Sequence, residues 1–410
     1  MLGGCRALDL TDEKGFLCGR ILADLGVDVI KVERPGGDAS RRIGPFWKDI
    51  PDPEKSLYWF AYNANKRGIT IDIETSDGRE VMHELVRKAD FVLESFPPGH
   101  LNRKRLGYRA LRTINERIIL VSITAFGQKG PYKDYAASDL IAMAMSGMLY
   151  LTGDADRPPV NISLPQSYLL AGADGAAGAM IAYYHREKTG KGQRVDIALQ
   201  QSAAWFLANT VPTWELANAN LKRAGAMRTM SAAGTAQRQV WHCKDGYVFF
   251  FMLGGETGAK QFRKVTRWMD DEGMGDPYLR TVEWEKLDWG TVTQNTIDRI
   301  SKPIADFFST RTRKEVENAA TARTISMYCL SSMEDLVKDR HLKERRYWID
   351  IDHPELGVRL PYPRRFAEMS ELSPRKTFRA PLIGEHNKEV YREIGLSDHG
   401  IAQLERAGVI

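Results

Sequence analysis

The sequence predicts an α/β fold: a large Rossmann-like domain built on a parallel sheet, joined to a smaller α+β domain. Three observations carry this reading. Short apolar strands alternate with amphipathic helices through the first half of the chain, the pattern of βαβ units. A chain of 410 residues exceeds what one small core organises, so a second domain is expected. Beyond about residue 220 the alternation gives way to small, polar, aperiodic sequence followed by a hairpin pattern.

Each element follows from its residues. Arg6–Leu10 (RALDL) reads as the first strand, and residues 11–14 as a polar turn with N-cap candidates. Residues 15–25 carry Phe16, Leu17, Ile21 and Leu22 at helical spacing, and Gly26 closes that helix. Residues 27–32 (VDVIKV) are the next strand. The unit then repeats: strand at 68–73, helix at 77–88, strand at Phe91–Glu94 (FVLE), a turn and helix opening at 111–114, and a buried strand at 118–124. The Met-rich stretch 139–151 reads as core. A helix over 168–187 has small residues at Ala171, Gly172, Gly175, Ala179 and Ala182, which let another helix or a ligand come close. A turn at 189–193, a strand at 194–199 and a helix at 202–215 follow, with Trp205 and Trp214 as packing residues. Residues 240–252 form a hairpin turning at Asp245-Gly246. The chain ends in an extended Pro-rich stretch at 360–365 and a short helix at 385–394. The division expected is 1–215 as the large domain, completed by 326–410, with 216–240 as linker and loop and 241–325 as the small α+β domain.

Composition narrows the function. The chain has 58 Lys+Arg against 53 Asp+Glu, a formal charge of +5, with no basic block of nucleic-acid type. Cys5, Cys18, Cys243 and Cys329 fit neither a disulfide framework nor a zinc pattern, which points to a reducing cytoplasm. No signal peptide and no membrane span are read. GxxxxGK[ST], GxSxG and HExxH are absent, so no P-loop, hydrolase elbow or metal is expected. TDEKG stands where a dinucleotide fold would place its glycines, which argues against NAD.

Cationic residues do gather near the strand ends and the loops around them: Lys14, Arg34, Lys66, Arg67 and Arg103. Open α/β sheets bind ligands at the carboxyl ends of their strands, and a cation cluster there suits a ligand with several phosphates. Scattered surface charge is the alternative.

Several stretches together resemble the family III CoA-transferases. They are DLGVDVIKVERPGGD (24–38), NANKRGITIDI (63–73), ESFPPGHL (94–101), SITAFGQKGPY (122–132), DLIAMAMSGMLYLTG (139–153), REKTGKGQRVDIAL (186–199) and RAPLIGEHNKEV (379–390). Each is weak alone; in family order across nearly the whole chain they are a strong signal. The resemblance implies a CoA-binding large domain and two chains threaded through each other as interlocked rings. By the same resemblance the CoA-facing residues are Lys14, Arg34, Ile71, Asp72, Ile73, Glu74, Ser95, Phe96 and Arg103, and coenzyme A or an acyl-CoA is the substrate, with no metal.

Family members of this type keep a carboxylate on the helix before REKTGKG. It attacks the acyl-CoA to give a mixed anhydride, which CoA thiolate converts to an aspartyl thioester; a carboxylate serves because it is both nucleophile and leaving group. Counting back from Thr189, that position is Tyr168. Asp174 is an alternative carboxylate six residues on, about 9 Å along the helix. A glycine-rich flap would fall at 231–239, where Gly234 alone remains. The related racemases place a histidine where this chain has Ser138. Heteromeric members such as benzylsuccinate CoA-transferase pair an aspartate-bearing subunit with a sister lacking it, and this chain looks like the sister. The implied partners are that sister subunit, a CoA thioester and a carboxylic acid, with no nucleic acid and no membrane. Two other readings stand beside it: an active homodimer using another carboxylate, and a CoA-ester-binding protein without turnover.

Overall fold

The structure, a computed structural model, describes residues 2–229, 235–251, 255–288, 291–371 and 377–410. The chain forms two compact units, one of Met1–Met148, Ile162–Leu207 and Arg340–Ile410, the other of Leu149–Asn161 and Ala208–Asp339.

The first unit is built on six strands: β1 (Arg6–Leu10), β2 (Asp28–Glu33), β3 (Lys66–Thr70), β4 (Phe91–Glu94), β5 (Ile119–Thr124) and β6 (Arg194–Ala198). They lie in the order β3-β2-β1-β4-β5-β6, and every pair is parallel. This is the doubly wound order, whose direction reverses between β1 and β4. Strands covered on both faces read as continuous apolar runs, and every residue of β5 is buried. Alternate residues feed two cores. Leu8, Ile30, Ile69 and Leu120 pack with Leu85 and Tyr391 on one face, while Ala7, Val29, Phe91 and Val121 pack with Leu22 and Ala179 on the other.

The helix Phe16–Asp24 follows β1, and the helix Ser76–Arg87 follows β3, with the Thr75 hydroxyl accepting from Gly78 N. The long helix Gln166–Thr189 ends at Gly190, whose φ of 74° suits glycine. It starts two residues before the expected 168, because the Asp139 carboxylate accepts from Ser167 N at 2.8 Å and from Ser167 Oγ at 2.7 Å. Its small residues bring it against the first helix: a Cβ on Gly172 would stand 2.8 Å from Leu17 Cβ and 3.2 Å from Cys18 N.

Other expectations need correction. The helix expected at 202–215 is two helices, Leu199–Trp205 and Thr210–Ala217. Pro212 explains the break: proline fits a first turn but not a helix interior. The Met-rich segment is core only in part. In the helix Asp139–Met145, Ala142 and Met143 are buried, while Leu140, Ile141 and Met145 are exposed. Trp205 is 73% exposed and Trp214 47%, so neither packs within this chain as expected.

In the second unit Val240–Cys243, Gly246–Phe250 and Met327–Cys329 form an antiparallel sheet. Trp241, Phe250, Trp268, Phe307 and Phe308 fill its core with the helices Gly255–Asp271 and Gln294–Ser309. The stretch 216–240 holds a short antiparallel strand pair, Met227–Thr229 with Ala236–Arg238. Among the described residues no helix is long and apolar enough to cross a membrane.

Candidate functional site

A cavity of about 1140 Å³ opens at the carboxyl ends of the strands in the first unit. Chain order places its walls, because each strand of a parallel sheet delivers its following loop to the same edge. Lys14, Arg34, Ile71, Asp72, Ile73, Glu74, Ser95, Phe96 and Arg103 all line it. The loop after β1 also gives Asp12 and Glu13, and the segment after β5 gives Ala125, Lys133 and Tyr135.

The strand-order reversal is tied by hydrogen bonds. Ser95 Oγ, just past β4, accepts from Asp12 N at 2.8 Å and donates to Asp12 Oδ1 at 2.7 Å. Asp12 in turn pairs with Lys14. By contrast Arg34 and Arg103 are exposed, and neither guanidinium has a carboxylate partner among the described residues. Phe96 and His100 stack with centroids 4.7 Å apart. Burial holds His100 below its usual range, with Arg103 and Lys104 pushing the same way against Glu74. Lys104, bonded to Glu74, holds that carboxyl low. Beneath Phe96, the buried Glu94 carboxylate accepts from Phe96 N at 2.8 Å, and desolvation pushes its pKa up to about 7 against the Ser122 and Phe96 hydrogen bonds.

Tyr168 lies on the buried side of its helix rather than among the lining residues. Its hydroxyl accepts from Asp139 N at 3.1 Å. Burial first, and then the charge of Glu13, push the phenol up to about 12, with Asp12 and Asp139 adding to the rise. Asp12 and Glu13 line the cavity, so Tyr168 sits in the field of two of its wall carboxylates. Asp174 is half-buried, and its carboxylate has no ion-pair partner among the described residues. At 3.6 residues per turn it points about 120° around the axis from Tyr168.

The sequence matches the CoA-transferase family III model over residues 2–387. The chain belongs to that family. It is 32% identical to succinyl-CoA:(R)-benzylsuccinate CoA-transferase subunit BbsE of Thauera aromatica, over 99% of this chain and 97% of that protein. It is also 32% identical to the succinyl-CoA–L-malate CoA-transferase beta subunit of Chloroflexus aurantiacus, over 100% of this chain and 98% of that one. Formyl-CoA:oxalate CoA-transferase of Streptomyces avermitilis is 31% identical, over 100% of this chain and 99% of its own length. Among solved structures, a CAIB/BAIF family protein from Brucella suis superposes with a TM-score of 0.83 at 28% identity, covering 96% of this chain and 99% of that one.

In this family III chain two of the expected cations lie elsewhere. Lys66 and Arg67 open β3, at the amino end of the sheet. Lys66 is fully buried against Asp9 at 2.8 Å, and Arg67 pairs with Asp28, Glu389 and Glu393. Both are neutralised by carboxylates that spacing alone does not reveal. The TGKGQ turn is structural: a Cβ on Gly192 would stand 1.9 Å from Ile118 O. Ser138 precedes the helix Asp139–Met145 without a side-chain capping bond. Of the flap expected at 231–239, residues 231–234 lie outside the described residues. Sequence reasoning missed Asp12, Glu13, His100 and Lys133 in the cavity wall. Reading each strand-end loop whole, rather than its cations alone, finds the first three.

Proposed function

We propose that this chain is the subunit of a heteromeric CoA-transferase that lacks the nucleophile and works beside an aspartate-bearing sister. The complex moves CoA from a donor thioester such as succinyl-CoA to an organic acid. The observation that carries this is Tyr168. A neutral phenol, with its pKa pushed up to about 12 and its oxygen engaged by Asp139 N, is a poor stand-in for a carboxylate that must attack a thioester and then leave. The cavity itself is kept. Arg34 and Arg103 take the phosphates of the nucleotide, Phe96 and His100 offer it a ring surface, and the 12–14 loop meets the thioester end nearer Tyr168.

Two chains interlocked as rings account for apolar surface left open here. Three mutually packed helices, Asp139–Met145, Gln166–Thr189 and Leu199–Trp205, expose Leu140, Ile141, Met145, Ile181, Tyr184 and Trp205. Such a patch on a water-soluble chain marks an interaction surface. The complex works in a reducing cytoplasm, in keeping with four free cysteines.

The test is to purify this chain alone and co-expressed with a candidate sister, and to incubate each with succinyl-CoA and a panel of carboxylic acids. New CoA esters are read by mass spectrometry, and hydroxylamine traps any enzyme thioester. The expected result is no exchange and no adduct for the chain alone, and exchange by the co-expressed pair with the adduct on the sister. Exchange by the pure chain, with an adduct on one of its own residues, overturns the reading.

A further inference from the structure

The loop after β1 carries Asp12, Glu13 and Lys14 into the cavity wall, and two buried lysines grip its two ends from beneath. Lys31 and Lys66 are both fully buried. Lys31 Nζ donates to Thr11 O at 2.6 Å, with Asp9 O at 3.3 Å and Val32 O at 3.4 Å. Lys66 Nζ donates to Phe16 O at 3.0 Å, to Asn63 Oδ1 at 2.9 Å and to Asp9 Oδ2 at 2.8 Å. Asp9 completes the grip by accepting from Thr11 N at 3.0 Å and Thr11 Oγ1 at 2.6 Å. One ammonium therefore holds the carbonyl where the loop begins, and the other holds the carbonyl where the next helix begins.

The two lysines differ in how their charge is met. Lys66 has a direct carboxylate partner in Asp9. Lys31 has Asp38 at 3.9 Å, beyond hydrogen-bond range, and its close partners are carbonyl oxygens. An ammonium buried this way costs stability that an apolar side chain of similar size would not. What it supplies is a fixed loop. Residues that hold a binding element in place before the ligand arrives spare the complex the entropy of ordering it.

We propose that Lys31 is a positioning residue, which fixes the 11–15 loop in advance for the thioester end of the bound ligand. This rests on the reading of the cavity as a CoA site. On that reading the loop, whose Glu13 and Asp12 act on Tyr168, meets the thioester end, whereas Arg34 and Arg103 take the nucleotide, so removing the ammonium separates the two ends. Lys31→Met keeps most of the length of the side chain, ending one atom short, and removes its charge.

Calorimetric titration of the full-length chain uses two probes: CoA, and adenosine 3′,5′-bisphosphate, which carries the nucleotide end alone. In Lys31→Met the Kd for CoA rises about tenfold or more, and the Kd for the bisphosphate stays within about twofold. A parallel loss for both probes, or no change for either, overturns the proposal. If wild type binds neither probe, the reading of the cavity fails and the proposal falls with it. If wild type binds CoA and the variant binds it equally well, only the proposal fails. Should Lys31→Met not fold, Lys31→Gln, which retains a donor for Thr11 O, is titrated in the same way. Hydrogen exchange on the wild-type chain needs no variant: the amides of residues 12–15 exchange slowly before CoA is added. Protection that appears only with CoA shows a loop ordered by its ligand and overturns the proposal.

Discussion

A single charge is worth most where nothing already neutralises it. Arg67 is saturated by Asp28, Glu389 and Glu393, whereas Arg34 and Arg103 line the cavity with no carboxylate partner among the described residues. Arg34→Ala and Arg103→Ala are each expected to weaken CoA binding about tenfold in calorimetric titration, since a hydrogen bond to a charged group is lost. The loss shrinks at high salt, where exposed charges are screened. Glu94 gives a prediction with a sign. Burial raises its carboxyl from 4.5 to about 7, so the folded chain holds that proton more tightly than the unfolded chain does. Stability from this group is complete below the unfolded value and is lost as pH rises through the window from 4.5 to about 7. The loss is about 3 kcal/mol. Glu94→Gln removes the term, and urea unfolding at pH 5 and pH 8 should show a flatter dependence than wild type.

At the scale of elements, glycine spacing makes the contact between the helices Phe16–Asp24 and Gln166–Thr189. Gly172→Ala places a methyl 2.8 Å from Leu17 Cβ and 3.2 Å from a backbone nitrogen that cannot swing away. The expected cost is about 1–3 kcal/mol in urea unfolding. The small-residue stripe was legible in the sequence, and so were the six strands, because a buried parallel sheet writes itself as repeated apolar runs between helices. What stayed hidden came from partners distant in sequence. Asp139 moves the start of a helix that begins 27 residues later. Asp9 takes Lys66 out of the cation cluster from 57 residues away. Pro212 was the exception: the letter was visible and its effect on the expected 202–215 helix was predictable. The candidate site was legible as a set of loops, since topology alone sends them to one edge, but the balance of charge within it depended on ion pairs that no spacing encodes.

At the scale of the whole molecule, the first unit is discontinuous, with Arg340–Ile410 returning to it after the second unit. This returning segment is structural. Val409 and Ile410 are buried, Val409 O accepts from Asp72 N at 2.7 Å, and Gly408 lines the cavity. Removing residues 407–410 is expected to lower the melting temperature by several degrees and to weaken CoA binding, read by calorimetry, because it uncovers apolar core beside Ile71 and Ile73.

The same return sets an order of events during synthesis. A ribosome emits the six strands first, then Ala208–Asp339, the bulk of the second unit, and only afterwards the segment that seals the first core. For that interval the sheet has its strands but not its closing wall. On the interlocked pairing proposed above, a partner that is to pass through this chain has its opening then, before the fastener arrives. On that proposal, assembly with a sister chain is a matter of timing as well as affinity, and making the two chains side by side should yield paired rings that mixing of finished chains does not.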